Sequence, residues 1–447
     1  MATAAPASGW ILEANQRLRL FTLFILYVGQ GLPIGLFMFA IPAWMAVNGA
    51  SPAEVGSVTG LTALPWSLKF FNGFLMDRYT YLPMGRRRAW ILAAQSLMVL
   101  SLLAAAVLAP AATDVALLGA IGFTLHTATA FQDVAVDGLA VDIMTEDERA
   151  RGSGLMFGGQ ALGVAAATAG CGVVIDAFGA QAAFLLAAAI ITALCVYTLV
   201  FRERTGERRH PWSEGEANKR NLDIQIGAWW PLLRESFKSI VGGKSLFWIL
   251  TMLCGGVLYG GMTGAVPLIG ANYVGWDLST ISTHIAASGL VAGLLAMTLG
   301  GWLGDRYGAK RIGIGWILAT IALMAIMYFS VSSWGRPPLF LLLVYGWLAL
   351  HVLRAVALLP ISMRLCSPGV AATQFTIYMA VGNFGIPIGA FALSLADDLG
   401  GLKSIFAVVA VSLSIMLLLL VTVKFPRRPE YYEIQKRREI MAAHKPA

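Results

Sequence analysis

The chain consists of long apolar runs separated by short polar segments. Most runs extend for roughly 20 residues or more, the length that an α-helix needs to cross the hydrocarbon core of a bilayer. We predict twelve membrane spans from them. Their limits are 20–46, 53–77, 89–109, 115–143, 152–177, 181–201, 246–273, 279–304, 312–331, 338–363, 372–396 and 402–423.

Composition agrees with this pattern. Hydrophobic residues make up 58% of the 447 positions, charged residues only 13%, and the mean hydropathy is +0.72. A soluble globular protein carries about 25% charged residues. We therefore predict an all-α, polytopic membrane protein.

The basic residues are distributed unevenly between the two sides of the predicted membrane. With the N-terminus inside, the cytoplasmic segments hold 28 of the 32 Lys and Arg residues. The outside loops hold Arg336 and Lys403, and Lys69 and Arg354 fall inside spans. This bias predicts that both termini are cytoplasmic. It also accounts for the net charge of +8 without nucleic acid, since anionic lipid headgroups attract these residues.

A charged motif occurs once in each half of the chain. Residues 73–79 read Gly-Phe-Leu-Met-Asp-Arg-Tyr and are followed by Gly-Arg-Arg-Arg at 85–88, and residues 300–311 repeat the pattern as Gly-Gly-Trp-Leu-Gly-Asp-Arg-Tyr-Gly-Ala-Lys-Arg. An internal duplication of this kind is typical of two-bundle secondary transporters. We call residues 77–88 the first charged loop and residues 305–311 the second charged loop.

The repeat predicts two pseudo-symmetric six-helix bundles, at 1–201 and 246–424. Residues 202–245 form a cytoplasmic linker, whose charged part at 202–220 is expected to be flexible and whose second part reads as an amphipathic interfacial helix. A plain linker is the alternative. Residues 425–447 form a basic cytoplasmic tail.

The sequence predicts neither an enzyme nor a cofactor. The four cysteines are far apart and show no metal-ligand spacing. No Walker A sequence, HExxH motif or dinucleotide fingerprint is present. An ion gradient is therefore the expected energy source.

Ionisable residues inside the spans are the candidates for chemistry, because a charge at mid-membrane costs at least ~2.5 kcal/mol and needs a partner or a water-filled path. Lys69 lies in span two, and Asp133 and Asp137 lie four residues apart in span four, beside Gln132. Two carboxylates facing one lysine suggest a site for proton coupling. The alternative is a static ion pair that holds the two spans together.

Two further residues are candidates for substrate binding. Gln30 lies in span one, and Arg354 lies in span ten, three residues after His351. We expect Arg354 to bind an anionic group of the substrate; its alternative is pairing with a carbonyl or a helix end. His126 is expected to be a packing residue.

The charged loops are expected to gate rather than to bind substrate. An aspartate at the membrane face can accept hydrogen bonds from a neighbouring helix end. The predicted gating residues are Asp77, Arg78, Arg86, Arg87, Asp305, Arg306 and Arg311.

The first charged loop resembles the signature loop of the major facilitator superfamily, with a longer insertion at 79–84. With this insertion, the loop resembles that of one branch of the superfamily, which contains the AmpG muropeptide permeases and the acetyl-CoA transporters. Further agreeing segments are Gln30-Gly-Leu-Pro33, Ser67-Leu-Lys69-Phe70, Gly85-Arg-Arg-Arg-Ala-Trp90, Gln132-Asp133 with Asp137, and Ala372-Thr-Gln-Phe375.

The resemblance implies a twelve-helix major facilitator fold and proton-coupled import of a bulky polar solute by alternating access. By matching position it implies that Lys69, Gln132, Asp133 and Asp137 line the cavity. The expected substrate is a small molecule or a peptidoglycan fragment such as anhydro-muropeptide. The expected partners are protons and the lipid bilayer, and the protein is expected to be a monomer in a bacterial inner membrane.

Two alternatives remain open at this point. One is a carrier of siderophores, acyl-CoA esters or drug-like solutes in the same fold. The other is a non-transporting membrane assembly factor, which would need no buried titratable cluster.

Overall fold

The computed structural model describes residues 10–48, 52–225, 227–276, 278–394 and 400–425. The described part of the chain is helical. Its helices are α1 (Gln16–Gly35), α2 (Ile41–Val47), α3 (Pro52–Leu68), α4 (Phe70–Arg78), α5 (Arg88–Leu108), α6 (Val115–Ile143), α7 (Arg149–Phe178), α8 (Ala180–Val200), α9 (Lys219–Ile224), α10 (Trp229–Val241), α11 (Gly243–Ile269), α12 (Leu278–Leu295), α13 (Gly301–Tyr307), α14 (Ala309–Phe329), α15 (Pro337–Leu365), α16 (Ala371–Ser394) and α17 (Ser404–Thr422). Short π-helical segments at Leu36–Ala40, Gly270–Val274 and Ala296–Gly300 continue α1, α11 and α12.

Ten helical stretches in the described residues are long and apolar enough to cross a membrane. The other two predicted spans correspond to α3 with α4 and to α16. Large apolar side chains on several helices are exposed, among them Val107 and Phe329, each 83% exposed. Such exposure fits a protein whose outer surface contacts lipid.

The chain divides into two compact units. The first contains residues 1–144, 159–235 and 368–376, and the second contains residues 145–158, 236–367 and 377–447. The start of α7 therefore groups with the second unit, and the start of α16 groups with the first. The predicted domain limits do not include this exchange of segments.

Small residues bring α1 and α7 into backbone contact within the first unit. A Cβ atom at Gly31 would lie 2.5 Å from the Gln160 carbonyl oxygen, and one at Gly163 would lie 2.2 Å from the Val28 carbonyl oxygen. Neither position leaves room for a side chain. This contact fixes the rotation of α1, so that Tyr27 and Gln30 reach α6.

The second predicted span is interrupted at Lys69. Helix α3 ends at Leu68, α4 begins at Phe70, and the Asn72 amide donates to the Lys69 carbonyl at 3.0 Å. The backbone of Lys69 stays in the right-handed helical region, with φ −61° and ψ −18°, so the break is confined to this residue. The lysine side chain lies in the interior of the first unit, where it is 7% exposed.

Residues 201–209 are held by specific contacts, whereas the sequence predicts a flexible stretch there. The Arg88 guanidinium donates to the carbonyls of Phe201, Arg208 and Arg209. Residues 11 and 202 form an isolated parallel β-bridge. A helix follows at Trp229–Val241, and its location in the membrane interface remains a prediction.

Candidate functional site

Helix α6 carries the acidic residues of the candidate site. The Asp114 side chain caps its N-terminus by accepting from the Leu117 amide at 3.1 Å. Asp133 and Asp137 follow in the C-terminal half of the helix, one turn apart and on the same face. Both are buried, with 5% and 4% of their surface exposed.

Asp133 is bound on both of its oxygens. Lys69 Nζ lies 2.9 Å from Oδ2, and Gln30 Nε2 donates to Oδ1 at 2.5 Å. The ammonium also lies 5.7 Å from the centroid of the Trp66 ring. The structure thus brings together three of the residues that the sequence singles out, and leaves Asp133 with a compensated charge.

Asp137 has a different environment. Its Oδ1 accepts a hydrogen bond from the hydroxyl of Tyr27, and the structure describes no ion pair to it. Tyr27 is absent from the predicted set. It lies three residues before Gln30 on α1, so helical spacing alone would have placed it on the same face.

Two buried amide oxygens in the site have no hydrogen-bond partner among the residues that the structure describes. Gln132 Nε2 donates to the Leu26 carbonyl at 3.0 Å, but Gln132 Oε1 and Gln30 Oε1 are unpaired. An unpaired buried acceptor costs about 1–3 kcal/mol. Both oxygens are therefore available to donors of a substrate or of water.

His126 lies outside this hydrogen-bond network. Its Nδ1 accepts from Trp66 Nε1 at 2.9 Å, so Nε2 carries the proton and donates to the Pro33 carbonyl at 3.2 Å. Both ring nitrogens are satisfied by α1 and α3. This geometry is that of the packing residue expected from the sequence.

The buried cluster, defined as Tyr27, Gln30, Lys69, Gln132, Asp133 and Asp137, contains two carboxyl groups and one ammonium. Two ionised carboxylates around one cation would leave a net negative charge in a low-dielectric interior, which is unfavourable. A proton on one carboxyl group removes that charge. The arrangement can therefore take up and release a proton.

Arg354 lies in the second unit, on α15, and is 4% exposed. Its guanidinium contacts His351 Nδ1 at 3.1 Å and Met416 Sδ at 3.8 Å. The predicted substrate-binding residues thus belong to both units, with the amides and carboxylates in the first and the arginine in the second.

The first charged loop is centred on Asp77, which is fully buried. Its Oδ1 lies 2.8 Å from Arg87 Nη2, and its Oδ2 accepts from the Thr373 amide at 2.9 Å. Thr373 lies in the first turn of α16, so the carboxylate caps that helix. Arg87 also lies 3.4 Å from Asp142.

The other arginines of this loop contact different groups. Arg86 donates to the carbonyl of Pro368 at 2.6 Å and lies 3.5 Å from Asp77. Arg78 instead lies over the ring of Tyr79, 4.8 Å from its centroid. Arg86 and Asp77 thus both contact the segment that leads into α16.

The second charged loop has weaker contacts. Asp305 Oδ2 lies 3.4 Å from Arg151 Nε, and this arginine side chain is 50% exposed. Arg306 lies over the rings of Trp302 and Tyr307, and Arg311 is exposed. The repeated sequence motif therefore does not produce a repeated ion-pair network in the described residues.

A carboxylate of the linker completes the first charged loop. Glu203 accepts from the backbone amides of Arg86, Arg87 and Arg88, at 2.9, 2.8 and 2.6 Å. These amides lie at the start of α5, where the helix dipole favours an anion. Gly85 makes the turn with a φ of 98°, in the left-handed region that glycine adopts freely.

Glu207 is a second buried carboxyl group near this junction. It accepts from the Arg204 amide at 2.9 Å and from Asn221 Nδ2 at 3.2 Å. Burial and the charge of Glu203 raise the pKa of Glu207 to about 8. Sequence inspection gave no signal for either glutamate, since both lie in a polar stretch.

Comparison with known proteins shows the family. The sequence model of the Major Facilitator Superfamily matches residues 23–390 and, in a second match, residues 271–445. The chain belongs to the Major Facilitator Superfamily. It is accordingly a membrane transporter by family, with the twelve-helix fold that the sequence predicts.

The chain is similar to the anhydromuropeptide permease of Escherichia coli (strain K12). It is 28% identical over 389 residues, which cover 83% of this chain and 74% of the relative.

Solved structures of the superfamily share the fold. The transporter FucP in its outward conformation matches with a TM-score of 0.68 at 12% identity, covering 90% of this chain and 98% of that chain. The human organic anion transporter MFSD10 matches with a TM-score of 0.64 at 13% identity, covering 90% of this chain and 98% of that one. At these identities the likeness concerns the fold alone.

Proposed function

We propose that this protein is a proton-coupled symporter that imports a bulky polar solute of the anhydro-muropeptide class by alternating access. The similarity to the anhydromuropeptide permease over most of both chains supports the substrate class. The distribution of Lys and Arg supports cytoplasmic termini. The resemblance to the AmpG branch supports an inner-membrane protein and import as the direction of transport.

The observation that carries the proton coupling is the unequal environment of the two aspartates. Asp133 is paired with Lys69 and accepts from Gln30. Asp137 receives the neutral hydroxyl of Tyr27 and has no ion pair among the described residues. The proton is therefore assigned to Asp137, while Asp133 stays ionised beside the ammonium.

The mechanism follows from this assignment. With Asp137 protonated, the buried cluster is neutral and can be enclosed by the protein. Release of the proton on the cytoplasmic side leaves an excess negative charge on the cluster. Water in the open cavity solvates this charge. The unpaired amide oxygens of Gln30 and Gln132 would accept hydrogen bonds from substrate N–H or O–H groups.

Gating is assigned to the charged loops. Asp77 binds the start of α16 through the Thr373 amide and is compensated by Arg87. Loss of this contact would free the start of α16. We assign the supporting role to Arg86, whose guanidinium binds the Pro368 carbonyl, and the corresponding role in the other half to Asp305 with Arg151.

The test is uptake of labelled anhydro-muropeptide into sealed vesicles bearing the purified protein, with and without an inward proton gradient. We expect gradient-dependent uptake by the wild type. Asp137→Asn should abolish it, because an amide cannot carry the proton, while the variant stays folded in detergent. Asp223→Asn on the exposed face of α9 is the matched control and should transport normally.

Either of two results would contradict the proposal. Normal gradient-dependent uptake by Asp137→Asn would exclude that carboxyl group as the proton carrier. Absence of uptake by the wild type in sealed vesicles would exclude the substrate class, and siderophores and acyl-CoA esters would then be assayed in the same vesicles.

A further inference from the structure

The second unit contains a buried cation without a counter-ion. Arg354 forms no ion pair within the part of the chain that the structure describes, and its Nε has no hydrogen-bond partner. A guanidinium stays charged at any physiological pH. Because an unpaired charge at membrane depth is unfavourable, an anion that binds there would gain the compensation that the protein does not provide.

No acidic side chain contacts the guanidinium in the part of the chain that the structure describes. Its neighbours His351 and Met416 carry no negative charge, and Gly255 of α11 faces the guanidinium directly. A Cβ atom at Gly255 would lie 2.7 Å from Nη1 and 3.2 Å from Nη2. A residue larger than glycine at position 255 would therefore displace the guanidinium from its observed place.

His351 extends this polar group. A guanidinium can only donate, so His351 Nδ1 accepts the hydrogen bond from Arg354 and the imidazole proton lies on Nε2. The Nε2–H group is then a second donor beside the guanidinium. Together the two side chains offer the donors that a carboxylate binds.

Aromatic rings lie next to these donors. The Tyr259 ring, one turn along α11 from Gly255, lies 5.2 Å from the His351 ring and 5.8 Å from the Trp347 ring, between centroids. Trp347 is buried, whereas 37% of Tyr259 is exposed. The tyrosine ring thus packs against its neighbours while part of its surface stays exposed.

We propose that Arg354, His351 and Tyr259 form a subsite for a free carboxylate of the substrate, in which the guanidinium binds the carboxylate and the tyrosine packs against an adjoining pyranose ring. The subsite rests on the proposed function and names the part of the substrate that the second unit recognises. A planar guanidinium matches a carboxylate, and aromatic surface with few polar groups is typical of small-molecule sites. A phosphate dianion would require a second cation, which these neighbours lack.

The test compares the affinities of wild-type and variant proteins for two probes, measured by calorimetry with purified protein in detergent. The probes are an anhydro-muropeptide with free carboxylates and the same molecule with its carboxylates amidated. For the wild type we expect amidation to weaken binding about 10- to 100-fold, the range for a hydrogen-bonded charge. Arg354→Gln should bind both probes with the weaker affinity, and Arg354→Lys should recover part of the difference.

A structural role for Arg354 gives a different result. If the arginine mainly supports the fold, Arg354→Gln should lower the melting temperature. If the arginine instead binds an anion of the substrate, Arg354→Gln removes an uncompensated buried charge from the free protein. The melting temperature should then stay unchanged or rise. The assignment would be overturned if Arg354→Gln preferred the free-carboxylate probe by the same affinity ratio as the wild type.

Two further substitutions test the geometry. Gly255→Ala displaces the guanidinium without removing its charge, so it should weaken only the free-carboxylate probe. Gly289→Ala is the matched control, because its nearest neighbour would be 3.9 Å away. Tyr259→Leu should weaken both probes by the same factor, up to about tenfold, and Tyr259→Phe should retain binding.

The subsite and the proposed function can fail separately. If the wild type binds neither muropeptide, the substrate class is wrong, and the subsite is then tested by thermal shift with millimolar glucuronate against methyl glucoside. Stabilisation of the wild type but not of Arg354→Gln by glucuronate supports the subsite. Equal effects of the two sugars, or none, overturn it.

Discussion

At the scale of single residues, the number of charges in the buried cluster decides what each residue can do. Lys69 compensates one carboxylate, and Gln30 completes the hydrogen bonds of that same group. The second carboxyl group is left with a neutral donor. The ammonium and the amide that bind Asp133 thus distinguish it from Asp137, to which we assign the proton.

Removal of the lysine should show this compensation. Lys69→Ala leaves Asp133 as an unpaired buried charge, and breaking a buried pair typically costs about 3–5 kcal/mol. We expect a clear drop in melting temperature in detergent. Lys69→Ala combined with Asp133→Asn should recover most of it, because neither charge then remains unpaired. If the loss of stability in the double variant equals the sum of the losses in Lys69→Ala and Asp133→Asn, the two residues do not interact.

At the scale of elements, glycine positions decide which faces of the helices meet. Gly31 and Gly163 let α1 and α7 touch through their backbones, which directs Tyr27 and Gln30 towards α6. The close approach of α1 and α7 therefore helps to assemble the site.

The contact of α1 with α7 gives a direct prediction. A methyl group in Gly31→Ala would overlap α7 backbone atoms at 2.5 and 2.6 Å, so the helices must separate. Overpacking of this kind costs about 1–3 kcal/mol, and we expect a lower melting temperature together with weaker uptake. Gly172→Ala on α7, where no atom lies within 4 Å of the added methyl group, should be neutral.

The capping of α16 by Asp77 gives a second prediction at this scale. Asp77→Asn loses the ion pair with Arg87, although an amide oxygen can still accept from Thr373. We expect slower uptake with little change in substrate affinity, because we propose that the loop gates and does not bind substrate. Measured Kd and initial uptake rates would separate the two effects, and a large loss of affinity would contradict the gating role.

At the scale of the whole molecule, segments far apart in the sequence are joined outside the apolar spans. Glu203 receives the amides at the start of α5, and Arg204 contacts both Glu13 and the Asp142 carbonyl. The N-terminal segment, the first charged loop and the linker thus form one hydrogen-bonded junction. The stability of this junction should depend on pH through the buried carboxyl group of Glu207.

The sign of that dependence follows from the pKa of Glu207, which rises from the ordinary 4.5 to about 8. Between these values the folded protein holds a proton that the unfolded chain has released. Stability should therefore fall as the pH rises from about 4.5 to 8. Glu207→Gln should flatten this part of the profile of melting temperature against pH, and Glu214→Gln, at an exposed position, should not.

The sequence by itself determined the fold class, because apolar runs of membrane length can only be helices and because the charged motif occurs twice. It also identified Lys69, Asp133 and Asp137 as a group, since ionisable residues are rare in spans and helical spacing places the aspartates on one face. These inferences need only local composition and periodicity.

The tertiary structure alone decided which aspartate is paired, because that depends on where α1 and the interrupted second span place Tyr27, Gln30 and Lys69. It also placed Glu203 on the amides of the first charged loop, more than a hundred residues earlier in the chain. Periodicity within one helix carries no information on which neighbouring helix supplies a partner. Packing between helices supplies that information, and it separates the two carboxyl groups of this site.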